Sequence, residues 1–339
     1  MRLHSRLIRL LPWLLIFAVF FIGCAKLKEG KPIVPVKEYE KLLLGKMTAD
    51  YVGNQNCLKS CHTHDKLAID FKASTMGDQL KEASSGLKIV DCESCHGPAS
   101  EMMAAINALG IKNDDDVKAN YQAVVKAHKE NLLDYTNLPA GALSLICLKC
   151  HTSNATFNIH NWNASIHAAN EVTCANCHPI HGSSDLIVDP RAVQKLCLDC
   201  HIDVRVTFSL PYHHPVKEGK IFCTDCHEPH GNSNYKNLRG MTVKETCARC
   251  HPEKAGPFLF EHSDNTENCA MCHSPHGSAN EWLLKLPQVF LCKQCHPTHR
   301  ISDNALGGKS MSFTRCTDCH SQIHGSDTPG MDTGRTFTR

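Results

Sequence analysis

Cys223-Thr224-Asp225-Cys226-His227 is the stretch that decides the reading of this chain. It places two thiols and an imidazole on about one turn of backbone. A zinc half-site or a redox disulfide uses a Cys-x-x-Cys pair but has no need of the adjoining histidine. Covalent haem attachment uses all three groups. The thiols form thioethers with the haem vinyl groups, and the histidine ligates the iron from one face.

The same pattern recurs along the chain. It is met at Cys92, Cys95 and His96; at Cys147, Cys150 and His151; at Cys174, Cys177 and His178; and at Cys197, Cys200 and His201. After the Cys223 motif it returns at Cys247, Cys250 and His251; at Cys269, Cys272 and His273; at Cys292, Cys295 and His296; and at Cys316, Cys319 and His320. A tenth motif, Cys57, Cys61 and His62, has three residues between its cysteines. Of the 21 cysteines only Cys24 lies outside a motif, which leaves no cysteine set for zinc or disulfides. Ten redox centres in 339 residues point to a protein that stores or conducts electrons.

From Cys174 onward, successive first cysteines stand 23, 26, 24, 22, 23 and 24 residues apart, a repeat centred on the cofactor. The earlier gaps are 35, 55 and 27 residues. We expect an amino-terminal pentahaem half over 51–205, with an insertion at 100–146, a carboxy-terminal pentahaem half over 206–325, and a polar tail over 326–339. Within the insertion, Val117, Tyr121, Val124, Val125, His128 and Leu132 form a helical stripe suited to covering a haem. Aromatic residues make up only 6% of the chain, so porphyrin faces must supply much of the apolar core. The expected fold is a multihaem cytochrome c: mostly irregular, with short α-helices, little or no strand, and a haem-stacked core.

Arg2, Arg6 and Arg9 precede an apolar stretch from Leu10 to Gly23, which reads as a signal peptide over 1–23. The sequence Ile22-Gly23-Cys24 resembles a lipoprotein cleavage site, with Cys24 as the lipidated residue. Residues 24–50, with Pro32, Pro35 and several lysines, read as a tether. The formal net charge is +2. Without residues 1–23, 33 basic residues face 34 acidic ones, a net of −1. Haem propionates add about twenty further carboxylates. An acidic holoprotein argues against a nucleic-acid partner and suits basic surfaces on redox partners.

Twelve of the 23 histidines lie outside the motifs and the signal segment, a close match to ten second axial positions. The candidates are His128, His160, His167, His181, His213, His230, His262, His276, His299 and His324. His64 is a weaker candidate, and His214 adjoins His213, so that both are not expected to ligate. His181, His230, His276 and His299 each follow a motif histidine by three residues. Such a step cannot reach around a porphyrin, so these four are expected to ligate neighbouring haems. Bis-histidine irons are low-spin and closed to substrates.

The chain resembles the decahaem cytochromes of the MtrA/DmsE type. The resemblance rests on Cys92-Glu93-Ser94-Cys95-His96-Gly97-Pro98, on Pro229-His230-Gly231 and Pro275-His276-Gly277, and on the ending Cys316 to Ser326. It implies an electron carrier on the periplasmic side, which in some members sits inside a large outer-membrane β-barrel porin. It also implies partnership with periplasmic and extracellular cytochromes. The chain departs from the family at the long first motif, at Met102, and at Asp327-Thr328-Pro329, where a further histidine is usual. It departs again at Phe71-Lys72-Ala73-Ser74-Thr75-Met76, which aligns with Trp162-Asn163-Ala164-Ser165-Ile166-His167. Met76 is therefore the candidate for a His/Met iron. The expectation is a conduit of about ten haems, nine if the Cys57 motif is not loaded. The alternatives are a multihaem reductase with one open iron and a lipid-anchored surface cytochrome.

Overall fold

The computed structural model describes residues 45–60, 62, 66–74, 90–112, 114–135, 138–151, 159, 161–181, 189–262, 268–297 and 314–327. Cys24, Cys61, His64, Met76, His160 and His299 lie outside these residues, as do the segments read as signal peptide and most of those read as tether and tail.

Among the described residues the architecture is short helices joined by turns, with no named strand. Among these residues the sheet-like pairing consists of the isolated bridges Tyr212–Ser278, His227–Leu238, Phe260–Ser326 and His273–Leu284. The longest described helix, over Ala140–His151, has 12 residues. Helices this short are marginal alone, so tertiary contacts and attachment must hold them.

The insertion carries its own apolar core. Ala99, Met102, Ile106, Ile111, Val124 and Ala127 are buried together, with Val52, Val117 and Leu132 packed against them. Met102 is thus a core residue only 7% exposed. The expected single stripe is broken into helices over Asp114–Ala119 and Tyr121–Asn131. Tyr121 turns outward at their junction. Lys46 ties the preceding chain to this unit through Glu101 at 2.8 Å and Asn131 at 2.6 Å.

Farther along, buried apolar side chains are sparse. One small cluster joins Leu198, Phe208 and Val216. The chain there is organised by backbone repeats instead. His227 Nδ1 donates to the Lys236 carbonyl at 3.0 Å, and 46 residues later His273 Nδ1 donates to the Trp282 carbonyl at 2.8 Å. The Arg239 N–H donates to Cys226 O and the Lys285 N–H to Cys272 O, both at 2.9 Å. Lys236 and Trp282 both have positive φ, 51° and 60°, a costly conformation kept in both copies of the turn.

Candidate haem centres

Each motif closes as a helical turn. The histidine N–H donates to the first cysteine's carbonyl at 2.8 Å for His178, 2.9 Å for His227, His296 and His320, and 3.0 Å for His201, His251 and His273. The amino-terminal motif makes the same closure. His62 N–H reaches Cys57 O at 3.1 Å, five residues back rather than four. Several motifs are capped by a neighbouring side chain. Ser94 N–H donates to Asp91 at 2.6 Å and Thr173 N–H to Asn176 at 2.7 Å.

Eight motif histidines face a second histidine ring at a narrow range of separations. The centroid distances are 6.4 Å for His62–His128, 6.2 Å for His96–His181 and 6.0 Å for His178–His230. They are 6.2 Å for His201–His167, 6.1 Å for His227–His276 and 6.3 Å for His251–His214. They are 6.2 Å for His273–His324 and 6.0 Å for His296–His262. Two metal–imidazole bonds of about 2.0 Å, plus roughly 1.1 Å from each nitrogen to its ring centre, sum to about 6.2 Å. The pairs therefore have the span of two axial ligands on one iron, and the residues fit the group that the motifs imply.

Hydrogen bonding points the same way. His128 Nδ1 donates to Val124 O at 3.0 Å, His167 Nδ1 to Pro229 O at 2.9 Å, and His214 Nδ1 to Pro275 O at 2.6 Å. With His227 and His273, five rings have Nδ1 occupied by a carbonyl. That leaves the Nε2 lone pair for a metal. Burial, reinforced by His181, His62 and His128, lowers the His96 pKa to about 4. Burial also lowers His178, His230, His262, His276 and His324. These rings are neutral near pH 7, as ligation requires.

The pairing is non-local and regular. His181, His230, His276 and His324 each lie just after a motif histidine, yet each faces the motif histidine two sites upstream. His167, His214 and His262 precede the fourth, sixth and eighth motifs and face the fifth, seventh and ninth. The pair His178–His230 crosses the boundary at 205/206. His213 is a correction. It was expected as an axial ligand, but its Nδ1 bonds Leu210 O at 2.8 Å and its Nε2 bonds Glu218 at 3.2 Å. Both its nitrogens are occupied, and His214 takes the place opposite His251. The even spacing of His167, His214 and His262, 47 and 48 residues, was the signal for this choice. Among the described residues no ring stands opposite His151.

The cysteines form a continuous series. Side-chain hydrogen bonds join the first cysteines in pairs: Cys57 with Cys92, Cys147 with Cys174, Cys197 with Cys223, Cys247 with Cys269, and Cys292 with Cys316. The second cysteines link the intervening junctions, within electrostatic reach of one another: Cys95 with Cys150, Cys177 with Cys200, Cys226 with Cys250, and Cys272 with Cys295. Each interior motif thus adjoins its predecessor through one cysteine and its successor through the other.

The attachment turns and paired imidazoles define a multihaem c-type cytochrome, an electron-transfer protein. The family described as the doubled CXXCH motif matches residues 167–206, 213–256 and 262–301. The multiheme cytochrome MtrA of Shewanella baltica (strain OS185) is 33% identical over 290 residues, covering 82% of this chain and 79% of that protein. The chain belongs to the MtrA-type multihaem cytochromes.

Proposed function

We propose that this chain conducts electrons along ten covalently held haems, site by site in sequence order, across the outer membrane. In this reading Cys24 is lipidated, residues 24–50 are the tether, and a β-barrel porin surrounds part of the haem region. Periplasmic and extracellular cytochromes are its redox partners. The observation that carries the conduction reading is the unbroken alternation of first-cysteine and second-cysteine junctions from Cys57 to Cys316. No described helix is long and apolar enough to cross a membrane, so a spanning position requires a partner that supplies the wall.

When bound, haem c supplies a one-electron iron couple whose potential its axial ligands tune. The cysteines fix each site to the backbone. The paired imidazoles would each supply a nitrogen ligand, and an iron held by two imidazoles would be low-spin. Eight closed pairs weigh against a reductase, which needs an open position. The preserved turn at Cys57 and the opposed ring of His128 support loading of the long first motif.

For the Cys147 site we assign Met76 as second ligand, with His160 as the competing candidate. The register of His167, His214 and His262 directs His151 to the segment before Cys92. There Ser74 N–H donates to Phe71 O at 3.1 Å, as Ser165 N–H donates to Trp162 O at 2.9 Å. Phe71 and Trp162 are both buried, as are both serines. Met76 follows Ser74 by two residues, as His167 follows Ser165. For His320 we assign His299.

The deciding experiment is gentle detergent extraction of outer membranes, purification of this chain with its partners, and intact mass. A stoichiometric β-barrel and ten haems support the reading. A lone cytochrome sinks the embedded conduit, and a high-spin ferric signal moves weight to a reductase.

A further inference from the structure

A buried carboxylate joins the first two attachment sites. Glu93 lies within the Cys92–His96 helix and is 2% exposed. Its Oε1 accepts from the N–H groups of Ala99 and Val52, both at 2.9 Å. Its Oε2 accepts from Gly53 at 2.7 Å and Val52 at 3.1 Å. A carboxylate offers acceptors on both oxygens, and a carboxamide does not. All these donors are neutral backbone amides, so no side-chain cation among them cancels the charge.

Val52 and Gly53 lead directly into the Asn54–Ser60 helix that carries Cys57. Buried Asn54 completes the clasp by accepting from the Cys92 N–H at 2.7 Å. This is the junction at which the Cys57 and Cys92 thiols meet. Two corresponding junctions are held by neutral groups. The Ser144 hydroxyl reaches Cys174, and the Gln288 amide bonds Thr317 at 2.9 Å. Glu93 and His96 are three residues apart on one helix, about 5–6 Å between β-carbons.

We propose that Glu93 is a positioning residue that also sets the potential of the first haem pair. It holds Val52 and Gly53, and through them Cys57, against the Cys92 site. Its negative charge favours the oxidised iron beside His96. This rests on the haem-loaded reading above. A unit charge roughly 10 Å from the iron, acting through an effective dielectric near 20, shifts a one-electron equilibrium by on the order of tenfold.

The test is a spectropotentiometric titration of the full-length holoprotein, with intact mass and spin state recorded first. Failure of the wild-type chain to show ten low-spin haems would count against the reading beneath the proposal, separately from the proposal itself. In Glu93→Gln, one low-potential component should rise by about tenfold in its reduced-to-oxidised ratio, equivalent to ~59 mV for one electron. Asn54→Ala loosens the same junction without changing charge and should leave that component in place. An unmoved component in fully loaded Glu93→Gln, or an equal shift in Asn54→Ala, overturns the proposal. If Glu93→Gln comes out short of haem, Glu93→Asp decides. Full loading with the low component retained supports the charge, a raised component at full loading refutes it, and loss of haem here too leaves positioning alone and overturns the separate effect on potential.

Discussion

His167 Nδ1 donates to the carbonyl of Pro229 at 2.9 Å, and the next residue, His230, faces His178 across 6.0 Å. One Pro-His step therefore serves two sites. Its carbonyl orients the imidazole that faces His201, and its own imidazole faces His178. Pro275-His276 repeats the device, with His214 on the carbonyl and His227 opposite the ring. The following glycine is part of it. A β-carbon at Gly231 would collide with Ser165, at Gly277 with Thr207, and at Gly325 with Phe258. The distal-histidine segment packs directly on that glycine.

Replacing His214 and His213 in turn separates two adjacent histidines. His214→Ala should produce one high-spin ferric iron with all haems still attached. His213→Ala should leave the spin state unchanged. Electron paramagnetic resonance of the two oxidised variants reads both outcomes.

A chain ending at Ser321 lacks His324 but keeps the whole Cys316 motif. The open iron should then be that of the eighth site, whose motif histidine is His273, and not that of the tenth. The truncation and His273→Ala should each give one high-spin iron at equal haem count, and their combination should still give one and not two, because both rings face the same site; electron paramagnetic resonance counts them.

Gly277→Ala forces a methyl group into the Thr207 backbone. Overpacking of this kind costs about 1–3 kcal/mol. The holoprotein should unfold at a lower temperature, with partial loss of the His227–His276 ligation. Thermal scans monitored at the haem absorption measure both effects.

A methionine ligand on the Cys147 site should give a near-infrared charge-transfer band in the oxidised wild type that Met76→His abolishes. Its potential should fall at the same time, since thioether ligation raises it. A wild-type spectrum without that band removes Met76 from the ligand set.

The relation of fold to sequence differs between kinds of contact. A thioether and its proximal histidine are local, within about one turn, so Cys223, Cys226 and His227 can be read together without knowing anything distant. The same holds for the repeat and for the need of porphyrin to complete a thin core. The second ligands are different. Sequence reasoning could see that His230 cannot bend around its own haem, but not that it faces His178. It also chose His213, because two adjacent imidazoles are chemically equivalent until Leu210, Glu218 and Pro275 claim their nitrogens. Glu93 is not legible in the sequence, because Val52 and Gly53, whose N–H groups it accepts, lie about 40 residues away.

The sequence by itself therefore determined the covalent positions, the chemistry of the cofactor and a supply of histidines sufficient for closed irons. Tertiary structure alone decided which imidazole stands opposite which, the adjacency of consecutive cysteines, and the clasp between the first two sites. The reason is physical. Attachment is a property of neighbouring atoms in one chain segment, whereas the facing imidazoles belong to residues 34 to 85 positions apart. Only packing of turn upon turn can bring those to the span of a single iron.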